Sequence, residues 1–299
     1  MDNFYIGYSN IALIKYWGKS NSMPIRCLTP SISLKTPNLF TKTKIEKSDK
    51  MEFFINNILQ DEIELNKMIN FISSFVKLEH NIKITSFNNM PTSAGLSSSS
   101  SGFMALTLAT NGYFNLNKTK NELIEMCKYG SGSASRSFYD ICEWNTDNST
   151  NEIKSNIEFS MFAIIIDDSK KSISSRNGMK ICQETSTTFS NWVEECKKDF
   201  IEMKDALKND DFTKIGEIAE KNAIAMHNTC NNAMPAFSYL NSESYKMIDL
   251  VKNIRKNNIE CYFTADAGAN IKVFCKKNDS KLLEEKLLSL CSKRIIKCI

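Results

Sequence analysis

The stretch "PTSAGLSSSSSG", residues 91–102, places six serines in twelve positions. That density fits either a flexible linker or a loop built to hold a ligand. The flanking sequence bears on the choice. Upstream, "NIKITSF" (81–87) alternates Ile82 and Ile84 with polar neighbours, the pattern of a half-buried strand. Downstream, Phe103, Leu106, Ala109 and Tyr113 recur at helical spacing. A strand, a loop of small residues and a helix in succession suit phosphate. The helix start offers unpaired N–H groups and the positive end of its dipole. Small side chains let the backbone come close, and serine hydroxyls can bond phosphate oxygens or help hold Mg²⁺. The lysine of a Walker A loop is missing, and so is a Rossmann glycine fingerprint. A helix start without ligand and a linker stay open as plainer alternatives.

The rest of the chain sets the frame. With 299 residues it is long enough for one large domain or two modest ones. Its net charge of +4, with both signs interspersed, argues for neither nucleic acid nor membrane. No apolar run reaches the roughly 18 residues of a membrane span, and the start shows no signal peptide. The ten cysteines form no CxxC pair and none clusters with His80 or His227, so we expect buried, reduced thiols, no zinc site and a cytoplasmic protein. "NIALIKYWGK" (10–19) reads as a strand leading into a turn. In a strand, Lys15 and Lys19 would share a face. Thr119 and Glu122 form a capping box ahead of a helix. "EFSMFAIIID" (158–167) reads as a buried strand. Phe189, Trp192, Val193, Cys196, Phe200, Met203 and Leu207 make one helical stripe, and further helices are expected over about 211–226 and 242–254 and around Leu282–Leu290. "ECYFTAD" (260–266) and "NIKVFC" (270–275) read as strands joined by a turn. The irregular alternation predicts an α+β fold. The polar stretch "SKKSISSRNGMK" suggests a boundary near 170–185, dividing the chain into 1–175 and 176–299.

Several stretches carry a family resemblance. "PTSAGLSSSSSGFMAL" resembles the phosphate loop of the GHMP kinase superfamily. "NIALIKYWGK", "GSGSASRSFYDICEW" (130–144), "KKSISSRNGM" (170–179), "MHNTC" (226–230) and "FTADAGAN" (263–270) resemble, in order and spacing, the signatures of the diphosphomevalonate decarboxylase family. The resemblance spans about residues 6–275. It implies a GHMP kinase-like fold with two α/β halves around a deep cleft. It also implies ATP as co-substrate with Mg²⁺, mevalonate 5-diphosphate as substrate, and a homodimer. The implied reaction phosphorylates the tertiary 3-hydroxyl, then releases phosphate and CO₂ to give isopentenyl diphosphate.

The same resemblance implies the roles of individual residues. Asp266 would take the hydroxyl proton or orient the hydroxyl, Lys15 would stabilise charge nearby, and Arg136 would hold the substrate carboxylate, which a planar guanidinium can grip bidentately. Asn10, Tyr16, Trp17, Gly18, Lys19, Ser131, Gly132, Ser133, Ala134, Ser135, Ser175 and Arg176 would contact or orient substrate. Gly95, Leu96, Ser97, Ser98 and Ser99 would cradle the ATP phosphates, with Ser98 and Ser99 as the loop's functional hydroxyls and Ser93, Ser97, Ser100 and Ser101 at small-residue positions. Taken alone, each residue has a plainer reading: a turn aspartate capping its own backbone, an arginine in a surface ion pair, core packing for Tyr16 and Trp17, a solvated loop for Lys170 and Lys171. Two departures stand out: Ala269 replaces the family's usual proline after Asp-Ala-Gly, and "NNAMPAFSYL" (231–240) lacks its paired prolines. The rival readings are a mevalonate-type 3-kinase that does not decarboxylate and a non-catalytic binding protein on the same fold.

Overall fold

A computed structural model describes residues 3–91, 95–169 and 171–299. The expected α+β architecture is present as two sheets backed by helices. The first sheet is built from β1 (Tyr5–Ile14), β2 (Ser31–Lys47), β3 (Glu52–Ile55) and β4 (Ile58–Leu59). After α1 (Glu62–Ser73) the chain adds β5 (Ile82–Asn88). Helices α2 (Ser98–Tyr113) and α3 (Lys120–Gly130) follow, then β6 (Ile141–Trp144) and β7 (Thr150–Glu152). The strand order is β4-β3-β5-β2-β6-β7, with β1 paired to β2. Only the β3–β5 pair is parallel.

The second sheet opens with β8 (Phe159–Ile165), after which come α4 (Ser175–Thr185), α5 (Phe189–Lys208), α6 (Phe212–Asn231) and α7 (Ser242–Lys256). It is completed by β9 (Cys261–Ala265), β10 (Ile271–Lys276) and, after α8 (Ser280–Leu290), β11 (Arg294–Lys297). Its order is β11-β8-β10-β9, antiparallel throughout. Strand β8 thus pairs with strands from the end of the chain, although it lies ahead of the 170–185 stretch. That polar stretch is itself largely α4, whose buried Gly178, Met179 and Cys182 give it an apolar face.

Local chemistry accounts for the elements. At α3, the Thr119 side chain accepts from Glu122 N–H while the Glu122 carboxylate accepts from Thr119 N–H, which satisfies two orphan donors at once. In α5, Phe189, Trp192, Cys196, Phe200, Met203 and Leu207 are buried along one stripe. Helix α2 lies hard against β1: a Cβ on Gly7 would sit 2.3 Å from the Ser101 carbonyl oxygen, so only glycine permits this approach.

One apolar core joins the two halves. Ile11, Leu13 and Ile14 of β1 pack in the same cluster as Phe200 and Met203 of α5, Ile215 of α6 and Phe274 of β10. All ten cysteines are free and buried. Among the described residues, no helix is long and apolar enough to cross a membrane.

The stretch 10–19 is a strand leading out of the sheet, as expected, but with earlier bounds. Strand β1 starts earlier and ends at Ile14, and Lys15–Gly18 leave the sheet. Gly18, four residues past the strand, takes φ +127°, a backbone conformation that suits glycine, with the Phe189 ring beside it. Lys19 makes only an isolated bridge to Cys27. Lys15 and Lys19 therefore do not share a strand face, although both line one cavity.

Candidate active site

The cavity of about 250 Å³ lies where several chain ends converge. The exit of β1 supplies Lys15, and the end of β9 supplies Asp266. The N-termini of α2 and α4 supply Ser98–Ser100 and Ser175–Arg176, and the 3-10 turn Gly132–Phe138 supplies Arg136. Two helix N-termini aimed at one cavity make an anion-binding arrangement.

Asp266 is the centre of charge. Lys15 Nζ donates to its Oδ1 at 2.7 Å, and Lys272 Nζ lies 3.4 Å from its Oδ2. Burial alone would push the Asp266 carboxyl up, but Lys15 and Lys272 outweigh it and hold the group well below the usual carboxylate range. The turn-capping alternative for this aspartate does not describe these contacts. Lys15 is 2% exposed, and its Nζ also donates to the Ala12 carbonyl at 2.7 Å. Its own backbone N–H donates to Asn222 Oδ1 at 2.8 Å, and Asn222 Nδ2 donates to Asp199 Oδ2 at 2.9 Å. Burial pulls the Lys15 ammonium down to about 8, against the raising influence of Asp266.

Arg136 is buried at 3% exposure, and among the described residues neither its Nε nor its Nη1 has a hydrogen-bond partner. A surface ion pair is excluded. Its guanidinium carbon lies 6.0 Å from the Tyr16 ring centroid, and Tyr16 in turn packs on Trp144 at 4.9 Å. A buried cation with open donors is costly unless an anion arrives to pair with it.

The serine loop divides its hydroxyls by direction. Ser97, in the left-handed region at φ 55°, is the N-cap of α2 and makes no side-chain cap. Ser97, Ser98, Ser99 and Ser100 line the cavity, as does Gly95. Ser100 Oγ and Ser133 Oγ are 2.5 Å apart, and Ser131 Oγ is 3.0 Å from Ser133 Oγ. Ser101 turns away and pairs with Thr41 Oγ1 at 2.7 Å. Ser100 therefore joins the cavity hydroxyls, which the expected restriction to Ser98 and Ser99 did not foresee. Ser93 and Lys170 lie outside the described residues.

The other expected residues fall into two groups. Tyr16, Trp17, Lys19, Ser131, Gly132, Ser133, Ser175 and Arg176 line the cavity with the residues above. Trp17 is also core: it is 2% exposed, and its Nε1–H donates to Thr229 Oγ1 at 2.9 Å. Asn10, Gly18, Leu96, Ala134 and Ser135 sit behind the lining. Asn10 Nδ2 donates to Ser133 O and Ser137 Oγ, fixing the 132–138 turn. Ser135 Oγ donates to Gly132 O within that turn. Leu96 is buried and its carbonyl accepts from Ser9 Oγ, tying the phosphate loop to β1. On α4, Ser174 Oγ is occupied as N-cap, accepting from Asn177 N–H, which leaves Ser175 and Arg176 to the cavity.

Sequence reasoning missed Lys272 and Asn222 and left Lys171 undecided. Lys171 lines the cavity, and burial lowers its ammonium to about 8. The signal for Lys272 was its place between Ile271 and Val273 in an otherwise apolar strand. Among the described lining residues, Lys15, Lys19, Lys171, Arg136 and Arg176 face a single carboxylate, Asp266. Such a cavity selects a polyanion. Among the described residues, no group of three or more His, Cys, Asp or Glu side chains could hold a metal.

Comparison with known proteins agrees with this geometry. Residues 7–156 match the family model described as the diphosphomevalonate decarboxylase-like N-terminal domain. Residues 161–297 match that of the mevalonate 5-diphosphate decarboxylase C-terminal domain. The diphosphomevalonate decarboxylase of Debaryomyces hansenii is 31% identical over 313 residues, covering 92% of this chain and 79% of the relative. The structure of mevalonate pyrophosphate decarboxylase from Streptococcus pyogenes superposes with a TM-score of 0.93 at 41% identity, covering 98% of this chain and 95% of that one. A structure described as MDDEF in complex with MVAPP, AMPPCP and magnesium superposes with a TM-score of 0.91 at 35% identity, with 98% and 95% coverage. With both halves matched in order and the fold shared end to end, the chain belongs to the diphosphomevalonate decarboxylase family.

Proposed function

We propose that this chain uses ATP to phosphorylate the 3-hydroxyl of mevalonate 5-diphosphate and then releases phosphate and CO₂, giving isopentenyl diphosphate. The observation that carries the reading is Asp266, pinned between Lys15 and Lys272, facing the same cavity as an unpartnered, buried Arg136. The reaction needs a carboxylate beside a tertiary hydroxyl, a cation for the substrate carboxylate, and donors for two phosphate chains.

Each need has a group here. Asp266 accepts the hydroxyl's hydrogen bond and orients its oxygen toward the γ-phosphorus. Because its two lysines keep it a weak base, it takes the proton late, as the new P–O bond forms. Lys15 offsets the charge that gathers on the reacting oxygens. Arg136 binds the substrate carboxylate through its open Nε and Nη1 and holds it as the 3-phosphate departs. The C–O bond breaks with its electron pair leaving on phosphate, the C–C bond to the carboxylate supplies the new double bond, and CO₂ leaves. Tyr16, Lys19, Ser131, Ser133, Ser175 and Arg176 bind substrate, and Gly95 with Ser97–Ser99 and the α2 N-terminus binds the ATP phosphates. Asn10, Gly18, Leu96, Ala134 and Ser135 act from behind, by shaping the loops that carry these groups.

Mg²⁺ fits this donor set as an ion carried by ATP. The cavity offers hydroxyls rather than a carboxylate cage, as suits a cation that stays bound to phosphate oxygens and water. Bound there, it neutralises phosphate charge. In functional terms, residues 1–175 bring the phosphate loop and Arg136, and residues 176–299 bring Asp266. A cytoplasmic homodimer completes the reading and is checked by sedimentation and cell fractionation.

The test is incubation of the protein with ATP, Mg²⁺ and mevalonate 5-diphosphate, with ADP, CO₂ and isopentenyl diphosphate counted together. Equal amounts are expected. ADP without CO₂ would mean a 3-kinase. No turnover from folded protein would favour the binding-protein alternative.

A further inference from the structure

Lys272 sits on β10 with both sequence neighbours, Ile271 and Val273, turned into the opposite apolar cluster. Its side chain is fully buried on the face it shares with Phe274. Directly across the ladder stands Thr264, two residues before Asp266, which follows the last residue of β9. An ammonium in such a place is expensive unless paired. Here it meets Asp266 Oδ2 at 3.4 Å and donates to Asn270 O at 3.3 Å. Lys15 holds the other carboxylate oxygen. Lys15 thus hydrogen-bonds one oxygen, while Lys272 faces the other as a close charge without hydrogen-bond geometry, so the carboxylate lies between two cations. Lys272 also faces the phosphate loop: a Cβ built on Gly95, itself at φ +68°, would lie 3.4 Å from Lys272 Nζ. The one ammonium therefore lies between the loop and Asp266.

We propose that Lys272 is a positioning residue for phosphoryl transfer, clamping Asp266 from the side opposite Lys15 and holding it in register with the phosphate loop. This rests on the functional reading above. Lys272 does not line the cavity, so it acts through Asp266 and not on substrate. The charged and titratable groups around Asp266 are Lys15 after β1, Lys272 on β10, Lys171 before α4, Arg136 on the 132–138 turn and His227 on α6. His227 is buried and held neutral, its pKa lowered by burial to about 3. Lys15 and Lys272 are the two that reach the carboxylate oxygens.

The test uses Lys272→Met, which keeps length and removes charge, with Lys272→Gln as the replacement should Met fail to fold. Protein labelled with ¹³C at the aspartate carboxyls reports Asp266 directly, its signal identified by loss in Asp266→Asn. In the Lys272 variant that signal should titrate at least about one pH unit higher than in the unaltered protein, because one of two stabilising cations is gone. Turnover of ADP should fall about 10- to 100-fold, as for a misplaced reacting group, while KM for mevalonate 5-diphosphate stays within about twofold. In the Asp266→Asn background the Lys272 change should cost nothing more. An unmoved titration, a raised KM with kcat intact, or a full further loss in the Asp266→Asn background would each overturn the assignment. Failure of the functional reading looks different: the unaltered protein would then release no CO₂, while the carboxyl titration would still decide the role of Lys272.

Discussion

Arg136 and the lysines around Asp266 show how much chemistry this site stores in charges it has yet to use. A buried guanidinium with two open nitrogens destabilises the free protein. We expect Arg136→Met to raise the stability of the ligand-free chain by on the order of 1–4 kcal/mol in urea denaturation. The same change should weaken mevalonate 5-diphosphate binding at least about tenfold by calorimetry, since charge-assisted bonds to the carboxylate are lost. The alkaline pH limit follows from Lys15 and Lys171, both lowered by burial to about 8. Both must be cationic to face phosphate, so kcat/KM should decline as pH rises through about 8. Bound anions favour the protonated lysines, so the decline in kcat should lie at higher pH. A flat kcat/KM profile to pH 10, roughly an unperturbed lysine's pKa, would contradict the assignment. At this scale the sequence was legible where residue type and motif coincide, as at Asp266, Lys15 and Arg136. For Lys272 it was legible only as an anomaly: a lysine between two apolar residues marks a buried charge, but nothing local says that its partner is Asp266, beyond the end of the neighbouring strand.

Helix α2 is where the serine run resolves. Its first turn presents Ser98, Ser99 and Ser100 to the cavity, while Ser101 is consumed by Thr41 and by the Ser98 carbonyl at 3.0 Å. Ser98→Ala should lower ADP formation by on the order of 10²-fold, the usual cost of one donor to developing charge. Ser101→Ala should leave kcat nearly unchanged and cost about 0.5–1.5 kcal/mol of stability, the net worth of one hydrogen bond, because Thr41 keeps its bond to Asn88 Oδ1. Parallel steady-state assays and urea melts separate the two, and equal losses of kcat would reject the division. Helices with apolar stripes or caps, such as α3 and α5, were readable from the chain. Strand β2 was not. Its inward positions include Ser31, Ser33, Thr36, Thr41 and Thr43, all buried, so polar residues hide the alternation that would mark it. The expectation that Lys15 and Lys19 share a strand face failed for a related reason: Tyr16 and Trp17 have strand propensity, but Lys15–Gly18 already lie outside the sheet and Trp17 is committed to Thr229.

Over the whole molecule, the cleft's excess of cationic groups predicts that ligand binding is salt-dependent. At about 100 times its Kd, mevalonate 5-diphosphate should stabilise the chain by about 2.7 kcal/mol. Raising NaCl toward about 1 M, where screening reaches only about 3 Å, should shrink the thermal shift by weakening binding. A shift indifferent to salt would mean that apolar contact, not charge, governs recognition. The α+β class was legible from the irregular alternation of strand and helix patterns, and the two halves through the family resemblance, yet the sharing of one core between them was not, because nothing local marks Ile11 and Leu13 as partners of α5 and α6. That sharing sets an order of events at the ribosome. The backbone N–H of Lys15 is held by Asn222, 207 residues further along. At roughly 5–20 residues per second of synthesis, the first lysine of the site exists for on the order of 10 s or longer before its holder is made. A nascent chain halted before α6 would therefore carry a phosphate loop and an arginine but leave its opening strand without the partners that aim Lys15 at Asp266.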